Sequence, residues 1–208
     1  MRQPWLIAEL GGPLRVLSWS LTRPGFTQAR RIVWREVRNA DLPVHLNARD
    51  WLSGEINRGG FTDAVPLLTS RDIRRFQTAR HEVEDVRADA IATVGLSNAE
   101  RIGQRRAAPE AIGTINIAVR LSTPLGDGAF IEALSLVAQA RTTAVLEHGP
   151  RLPMGRATGT GTDCIAIAAP PGDTAHAGMH TAIGEAVGRT VLDAVAAGVQ
   201  DWMQEQGD

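Results

Sequence analysis

Residues 157–163 alternate threonine and glycine, and this segment is crowded with hydroxyl and backbone N–H groups. Such a group of donors suits a site that holds an oxyanion or a polar substrate group. The segment is not a Walker-type phosphate loop, because it contains no lysine and leads into a strand pattern rather than a helix. A plain glycine-rich turn is the alternative. The residues expected to bind substrate are Thr158, Gly159, Thr160, Gly161 and Thr162.

Two polar residues, Thr114 and Asn116, alternate with isoleucine in residues 113–117. Because side chains alternate along a strand, both should point to the same face. Polar groups buried in an apolar strand need partners, and here a hydroxyl and an amide would supply a nucleophile and an oxyanion donor. An edge strand with one solvated face explains the same pattern.

The candidates for a general base and its supporting carboxylate are His180, Asp163 and Glu185. His180 precedes the last predicted helix, where the helix dipole lowers the basicity of a histidine and favours a neutral base. The alternatives are an exposed loop histidine and, for Asp163, a turn-former that binds its own backbone. His176 and His180, with Asp163 or Glu185, could together bind a metal ion. The two histidines lie in a loop, however, where a spacing of four residues does not place them on one face as it would in a helix, so we predict no metal site.

Composition excludes several classes of function. All 22 basic residues are arginine and there is no tyrosine, so a catalytic lysine and a tyrosine acid are ruled out. The single cysteine, Cys164, cannot form an intramolecular disulfide, and its place in a strand favours a small buried hydrophobe. A net charge of -1 gives no reason to expect a nucleic-acid partner.

No stretch approaches about 18 apolar residues, so we expect a soluble cytoplasmic protein without a membrane span.

These candidates are positioned by a strand at 112–122, a helix at 127–148 and a strand at 164–169. Asn98 closes a further predicted strand, at 86–95, and sheet ends are where ligands usually meet α/β proteins. Helix 127–148 should bury Phe130, Leu134 and Val137. The last helix opens at Thr181 as N-cap, and its core-facing stripe should be Ile183, Val187, Val191, Val195 and Val199.

Earlier segments alternate between strand and helix patterns. We predict strands at 14–21 and 64–69 and an extended run at 31–37, for which a helix from Thr27 is the alternative. Asn47 should cap a helix that ends at Gly59-Gly60. The charged residues 71–85 are expected to form a solvated helix and a loop, and 100–110 a surface loop. The sequence therefore predicts a single layered α/β domain (mixed α+β) over 1–208, with a mixed sheet and flanking helices.

Several segments, in order, resemble the adenosylcobinamide amidohydrolases of vitamin B12 salvage. The specific pair is Gly113-Thr114-Ile115-Asn116-Ile117 and the Thr/Gly run 157–163. The other matching segments are Val16-Leu17-Ser18, Gly25-Phe26, Leu67-Leu68-Thr69, Val94-Gly95-Leu96-Ser97-Asn98-Ala99, Thr123-Pro124-Leu125, Ala177-Gly178-Met179-His180-Thr181, Gly184-Glu185 and Gly188-Arg189.

The resemblance implies hydrolysis of the amide that joins aminopropanol to the corrin side chain, giving adenosylcobyric acid and 1-amino-2-propanol. It implies a corrinoid substrate and no cofactor, and it adds Ser18 and Asn98 to the substrate-binding set. The expected nucleophile is Thr114 or a water activated by His180, with Asp163 or Glu185 in support. Backbone N–H groups of 159–162 and the amide of Asn116 or Asn98 would meet the oxyanion.

A second likeness concerns the nucleophile. Strand, Thr-Pro-Leu, long helix, Thr/Gly loop and strand are similar to the nucleophile-bearing half of the ornithine acetyltransferase fold, where self-cleavage frees a threonine. Thr114 after Gly113 would take that position. Without cleavage, Thr114 needs a base such as His180. A non-catalytic corrinoid-binding module and an unrelated amide or ester hydrolase are the alternative functions, and the sequence leaves open whether the protein is a homo-oligomer.

Overall fold

The computed structural model of the chain describes residues 4–43, 45–104 and 112–207. Over these ranges the chain forms eleven strands and three α-helices. In chain order they are β1 (Trp5–Ser18), β2 (Gly25–Glu36), α1 (Ala48–Gly59), β3 (Ala64–Thr69), β4 (Gln77–Val83), β5 (Val86–Val94), β6 (Ala99–Glu100), β7 (Ile115–Leu121), α2 (Asp127–His148), β8 (Arg151–Leu152), β9 (Gly155–Arg156), β10 (Gly159–Thr160), β11 (Cys164–Ala169) and α3 (Ala182–Gly207).

Seven of the strands form one mixed sheet in the order β3-β2-β1-β11-β7-β5-β4. The pairs β2–β3 and β11–β7 are parallel and the other neighbours are antiparallel. The central strands β7 and β11 are apolar along most of their length, as expected for strands that are covered on both faces. Two small ribbons, β10–β6 and β8–β9, lie outside this sheet.

The sheet folds over on itself at β1. The register of β1 against β2 is interrupted between Glu9 and Leu14, and only the last part of β1, from Arg15, pairs with β11. Three strands separate β3 from β7, which in a flat sheet would place them about 19 Å apart. Instead the Asn116 side chain on β7 donates to the Leu68 carbonyl on β3. The two halves of the sheet therefore face each other.

Three apolar clusters hold these layers together. The core between the sheet halves includes Leu6, Ile32, Trp34, Leu67, Ala118 and Ala166. Helices α2 and α3 cover the outer face of β11, β7, β5 and β4, where the predicted stripe of α3 is buried along its whole length. Helix α1 covers β2 and β3 through Leu52 and Ile56. The order of layers is thus helix pair, sheet, sheet and helix, within one mixed α/β domain.

Several sequence predictions are confirmed. Helix α2 and strands β3 and β11 have the predicted bounds. Asn47 caps α1 by accepting from two backbone N–H groups, and Gly60 ends it with a φ of 75°, a left-handed conformation that favours glycine. In α2, Phe130 and Val137 are fully buried and Leu134 is partly buried.

Other predictions need correction. Residues 71–85 form a 3₁₀ turn, Ile73–Arg75, and the edge strand β4 rather than a longer solvated helix, because Ala79 and Val83 pack on the core while Arg80 and Glu82 lie exposed on the opposite face. This alternation is the period of a strand with one covered face. The helix from Thr27 is wrong, since 25–36 is β2. Strand β1 begins well before residue 14 and ends at Ser18, and β7 is shorter than 112–122. Of the predicted loop 100–110, residues 105–110 lie outside the described residues.

Helix α2 also has the length and composition of a membrane span. Among the described helices it alone meets both criteria, with 22 residues and a mean hydropathy of 1.2. In its most apolar window of 18 residues 44% are buried, and the buried residues pack against the sheet and α3. This packing is that of a core helix, and length and composition alone do not separate such a helix from a membrane span.

Candidate functional site

A cavity of about 330 Å³ opens between the sheet halves at the start of β7 and β11. Its polar wall is formed by Ser70, Thr114, Asn116, Thr162, Asp163 and Cys164. Its apolar wall includes Trp19, Leu21, Pro66, Leu67 and Ile112. The cavity is within the size range of small-molecule sites and has their usual composition, a mostly apolar lining with a few convergent polar groups.

Thr114 and Asn116 share one face of the chain, as predicted. The Thr114 hydroxyl lies 2.9 Å from the carbonyl of Thr162 and 3.3 Å from Asn116 Oδ1, and it can donate to either. Asn116 Nδ2 donates to the Leu68 carbonyl at 2.5 Å. Both side chains are buried, and β7 lies between β11 and β5. The alternative of a solvated edge strand is therefore wrong.

The peptide between Gly113 and Thr114 is tightly enclosed. The Thr162 hydroxyl donates to the Gly113 carbonyl at 2.9 Å. A Cβ at Gly113 would lie 2.8 Å from each of three atoms in the turn 95–98, two of them backbone. No side chain fits there without a shift of the backbone. Thr162 therefore contacts the chain on both sides of this peptide bond.

Asp163 anchors the loop rather than pointing freely into the cavity. Its carboxylate accepts from the backbone N–H of Ile115 at 2.9 Å and from both the N–H and the hydroxyl of Thr160, at 3.0 and 2.5 Å. Arg141 on α2 completes the set at 2.9 Å. The two side chains are 5% and 17% exposed, so this is a buried ion pair. We infer that Asp163 holds the loop to β7 and α2.

The rest of the Thr/Gly loop faces away from Thr114. Thr158 pairs with β6, its N–H donating to the Glu100 carbonyl and its hydroxyl accepting from Ile102, each at 2.8 Å. Residues 158–161 instead line a second cleft of about 560 Å³, together with Arg101 and Arg141. The Thr160 N–H is occupied by Asp163, and that of Thr162 lies 3.4 Å from the Thr160 hydroxyl. Of the five predicted loop residues, only Thr162 lines the Thr114 cavity.

His180 and Glu185 lie at the opposite end of the sheet. Gly198 of α3 packs against Val94, the register partner of Ile115 on β7. Ala182 begins α3 sixteen residues earlier, about 24 Å away along the helix at 1.5 Å per residue. His180 is exposed just before it, and Glu185 pairs with Arg189. The structure does not bring either residue to Thr114.

The remaining candidates occupy the surroundings of the cavity. Ser18 is buried, and its hydroxyl donates to the Ile165 carbonyl at 2.8 Å and accepts from the Ser20 N–H at 3.0 Å. It therefore fastens β1 to β11. Asn98 lies beside Gly113, and within the described chain its buried side-chain oxygen has no hydrogen-bond partner.

Cys164 lines the cavity, and burial raises the pKa of its thiol to about 11. The thiol is therefore neutral near pH 7, which argues against a cysteine nucleophile.

Sequence reasoning missed two features of the site, Arg141 and the Leu68 carbonyl. Arg141 is the only arginine in the otherwise mostly apolar helix α2, and this isolated charge was an available signal. The contact with Leu68 follows from the folding over of the sheet, which no local sequence pattern indicates.

Among the described residues, no cluster of three or more His, Cys, Asp or Glu side chains is arranged to hold a metal ion. His176 lies 4.0 Å from Glu132, far from Asp163.

The fold and the cavity together define a mixed α/β domain with a cavity at the N-terminal ends of two central strands, β7 and β11. The chain belongs to the adenosylcobinamide amidohydrolase family, whose model matches residues 1–207.

It is 30% identical over 224 aligned positions to the uncharacterized protein MJ1613 of Methanocaldococcus jannaschii, an alignment that covers 91% of this chain and 85% of that protein. Among solved structures it is similar to the PH0078 protein from Pyrococcus horikoshii OT3. That similarity has a TM-score of 0.41 and 10% identity, and it covers 92% of this chain and 74% of the other.

Proposed function

We propose that the protein hydrolyses the aminopropanol amide of adenosylcobinamide to adenosylcobyric acid and 1-amino-2-propanol. Two findings support this: membership of the family over nearly the whole chain, and a cavity in which Thr114, Asn116 and Thr162 are held together by direct hydrogen bonds. The cluster carries the proposal, because a hydroxyl and an amide donor at one point of a cavity suit attack on a carbonyl group and binding of the oxyanion that forms.

The size of the cavity suggests how the substrate would bind. About 330 Å³ can accept the amide side chain with its aminopropanol group, whereas the corrin ring and adenosyl ligand are larger than this. The ring would lie at the mouth of the cavity, where Trp19 and Ile112 are 44% and 50% exposed. A flat indole ring favours stacking against such a ligand.

Activation of Thr114 requires a proton acceptor. Asp163 is engaged by Arg141 and three further donors, and the thiol of Cys164 is protonated. His180 is at the other end of the sheet. Within the described part of the cavity no side chain is thus suited to take the proton from an intact Thr114. A free α-amine on Thr114 would supply the base, as in enzymes with an N-terminal threonine nucleophile.

We therefore extend the proposal to cleavage of the Gly113–Thr114 bond before turnover. Water adds to the Gly113 carbonyl carbon and the C–N bond breaks, leaving a carboxylate on Gly113 and an amine on Thr114. The Thr162 hydroxyl, which donates to the Gly113 carbonyl oxygen, is placed to polarise it. The freed hydroxyl would attack the substrate amide, and the second N–H of the Asn116 amide would donate to the oxyanion.

The test is incubation of the purified protein with adenosylcobinamide, with and without a chelator, followed by mass analysis. Adenosylcobyric acid and aminopropanol should both appear, and the chelator arm decides whether a metal is needed. Intact-protein mass from the same sample should show fragments 1–113 and 114–208. Turnover by a protein that remains one chain would refute the cleavage step and assign the attack to a water held by Thr114 and Asn116.

The second candidate function is a corrinoid-binding module without chemistry. The lack of a base beside intact Thr114 is the observation that favours it. Uncleaved substrate that co-elutes with an uncleaved chain would support this function. Absence of both binding and turnover would exclude a corrinoid as the ligand.

A further inference from the structure

Another cavity, distinct from both the Thr114 cavity and the cleft beside residues 158–161, lies between the same two sheet halves, further along β7 from Asn116. Its volume is about 580 Å³, within the range of small-molecule sites. One wall is formed by Ile7, Leu10 and Ile32, and the facing wall by Ile91 and Ala118. Small side chains at Ala118 and its neighbours leave this space unfilled. The proposed reaction uses none of these residues.

Charged residues occupy one side of this cavity. Asp89 on β5 has Arg80 and Arg120 as register partners on β4 and β7, so the three side chains stand side by side on the sheet. Arg80 contacts Asp89 directly, whereas the nearest nitrogens of Arg87 and Arg120 are 3.5 and 3.8 Å from its carboxylate. All three arginines thus share a single carboxylate.

Other acids nearby are not bound to Arg120. Glu9 is paired with Arg31 at 3.1 Å. Glu82, the register partner of Arg87, is exposed on β4. The charged residues that line the cavity are Glu9, Arg80, Asp89 and Arg120, whose charges sum to zero. Glu9 and Asp89 are already bound by Arg31 and Arg80, so within the described chain Arg120 has no hydrogen-bonded carboxylate. Arg120 is therefore the group that favours an anion.

Arg120 also carries a donor that the protein leaves unused. Within the described residues its terminal nitrogens make no hydrogen bond, and Nη1 lies 3.8 Å from the Asp89 carboxylate. The side chain is 36% exposed and lines the cavity, so these donors can reach a ligand there. A guanidinium group presents its N–H donors as a planar fork that matches a carboxylate or phosphate.

We propose that this cavity binds a small amphiphilic oxyanion, a carboxylate or phosphate whose apolar body lies on Ile32 and Ile91 and whose head group meets Arg120 and Arg80. The inference is independent of the proposed amide hydrolysis, because it concerns different residues and its test requires no turnover. The head group accounts for the unused donor of Arg120, and the body accounts for the apolar walls.

The test is isothermal titration of the full-length protein with octanoate, octan-1-ol and inorganic phosphate. Octanoate should bind with one molecule per chain. Arg120→Met should weaken that binding at least tenfold, whereas Arg58→Met, at an exposed arginine on α1, should leave it unchanged. Circular dichroism melting of each variant checks the fold. A second variant, Ala118→Val, keeps the arginines and narrows the cavity, and it should also weaken octanoate binding.

Three outcomes would overturn the proposal. Octan-1-ol that binds as tightly as octanoate would show that the arginines do not select an anion. Phosphate alone, bound with the same dependence on Arg120, would show that the apolar walls take no part. Absence of octanoate binding at millimolar concentration to a folded protein would remove the site altogether.

Discussion

The two ends of the central sheet differ in a way that explains where function resides. At one end, Thr114, Asn116 and Asp163 are buried and joined by hydrogen bonds to each other or to backbone. At the other, His180 and Glu185 are exposed, and the ion pair that Glu185 forms among the described residues is with Arg189 of its own helix. Residue type alone favours the second end, since it has the histidine, the commonest general base. Burial and mutual contact favour the first, because only there can geometry be held fixed for catalysis.

The largest difference should appear when one arginine is removed at each end. Arg141→Met leaves the buried Asp163 carboxylate without its counter-charge, and breaking a buried ion pair typically costs about 3–5 kcal/mol. Arg189→Met removes a partner from an exposed pair whose side chains are 57% and 54% exposed, worth about 0.3–0.5 kcal/mol. Urea denaturation measures both. Equal losses in the free energy of unfolding would contradict the contrast between the two ends.

The second-largest difference should appear in the turnover of variants at the two ends of the sheet. Asn116→Ala removes the proposed oxyanion donor, and loss of one such donor lowers kcat about 10²- to 10³-fold. His180→Gln should change kcat less than twofold, because His180 is exposed at the opposite end of the sheet from Thr114. Product formation from adenosylcobinamide measures both variants, with near-wild-type melting as the control for folding. A strong loss in His180→Gln with full activity in Asn116→Ala would reverse our assignment of the site.

These contrasts also show what the sequence could and could not predict. The stripe of α3 and the shared face of Thr114 and Asn116 follow from local periodicity, and the cap at Asn47 follows from the residue preference at helix starts. All three were predicted correctly. The position of His180 could not be predicted in this way, because it depends on which end of the sheet the loop before α3 reaches. Strand order and the direction of α3 determine that end, and no local sequence pattern indicates either of them.

The orientation of the Thr/Gly loop could not be predicted from the local sequence, for a similar reason. Thr162 faces Thr114, whereas Thr158 is drawn away by its pairing with β6. Alternating threonine and glycine identified a polar loop, but which of its residues face the cavity depends on long-range contacts, namely the pairing of Thr158 with β6 and the anchoring of Asp163 by β7 and by Arg141 on α2.

Backbone packing should differ between the ends as well. Gly113→Ala places a Cβ 2.8 Å from three atoms, and relief of such overlap typically costs about 1–3 kcal/mol. At the other end, Gly178→Ala meets no atom within 4 Å and should change stability by less than about 0.5 kcal/mol. Chemical denaturation of both variants provides the comparison. A Gly113→Ala protein as stable as wild type would show that the turn 95–98 can move.

The smallest expected effect concerns the thiol at the Thr114 end. Burial raises the pKa of Cys164 from 9.0 to about 11, so the folded protein keeps the proton that the unfolded chain loses above pH 9. Stability linked to this group is therefore full below pH 9 and declines as pH rises from 9 to 11. Alkylation by iodoacetamide requires the thiolate, so its rate should rise about tenfold per pH unit from 7 to 10. Glutathione under the same conditions is the reference thiol and should level off earlier. A rate for Cys164 that levels off below pH 9 would mean that the thiol is activated, and the chemistry at this end would then have a second nucleophile.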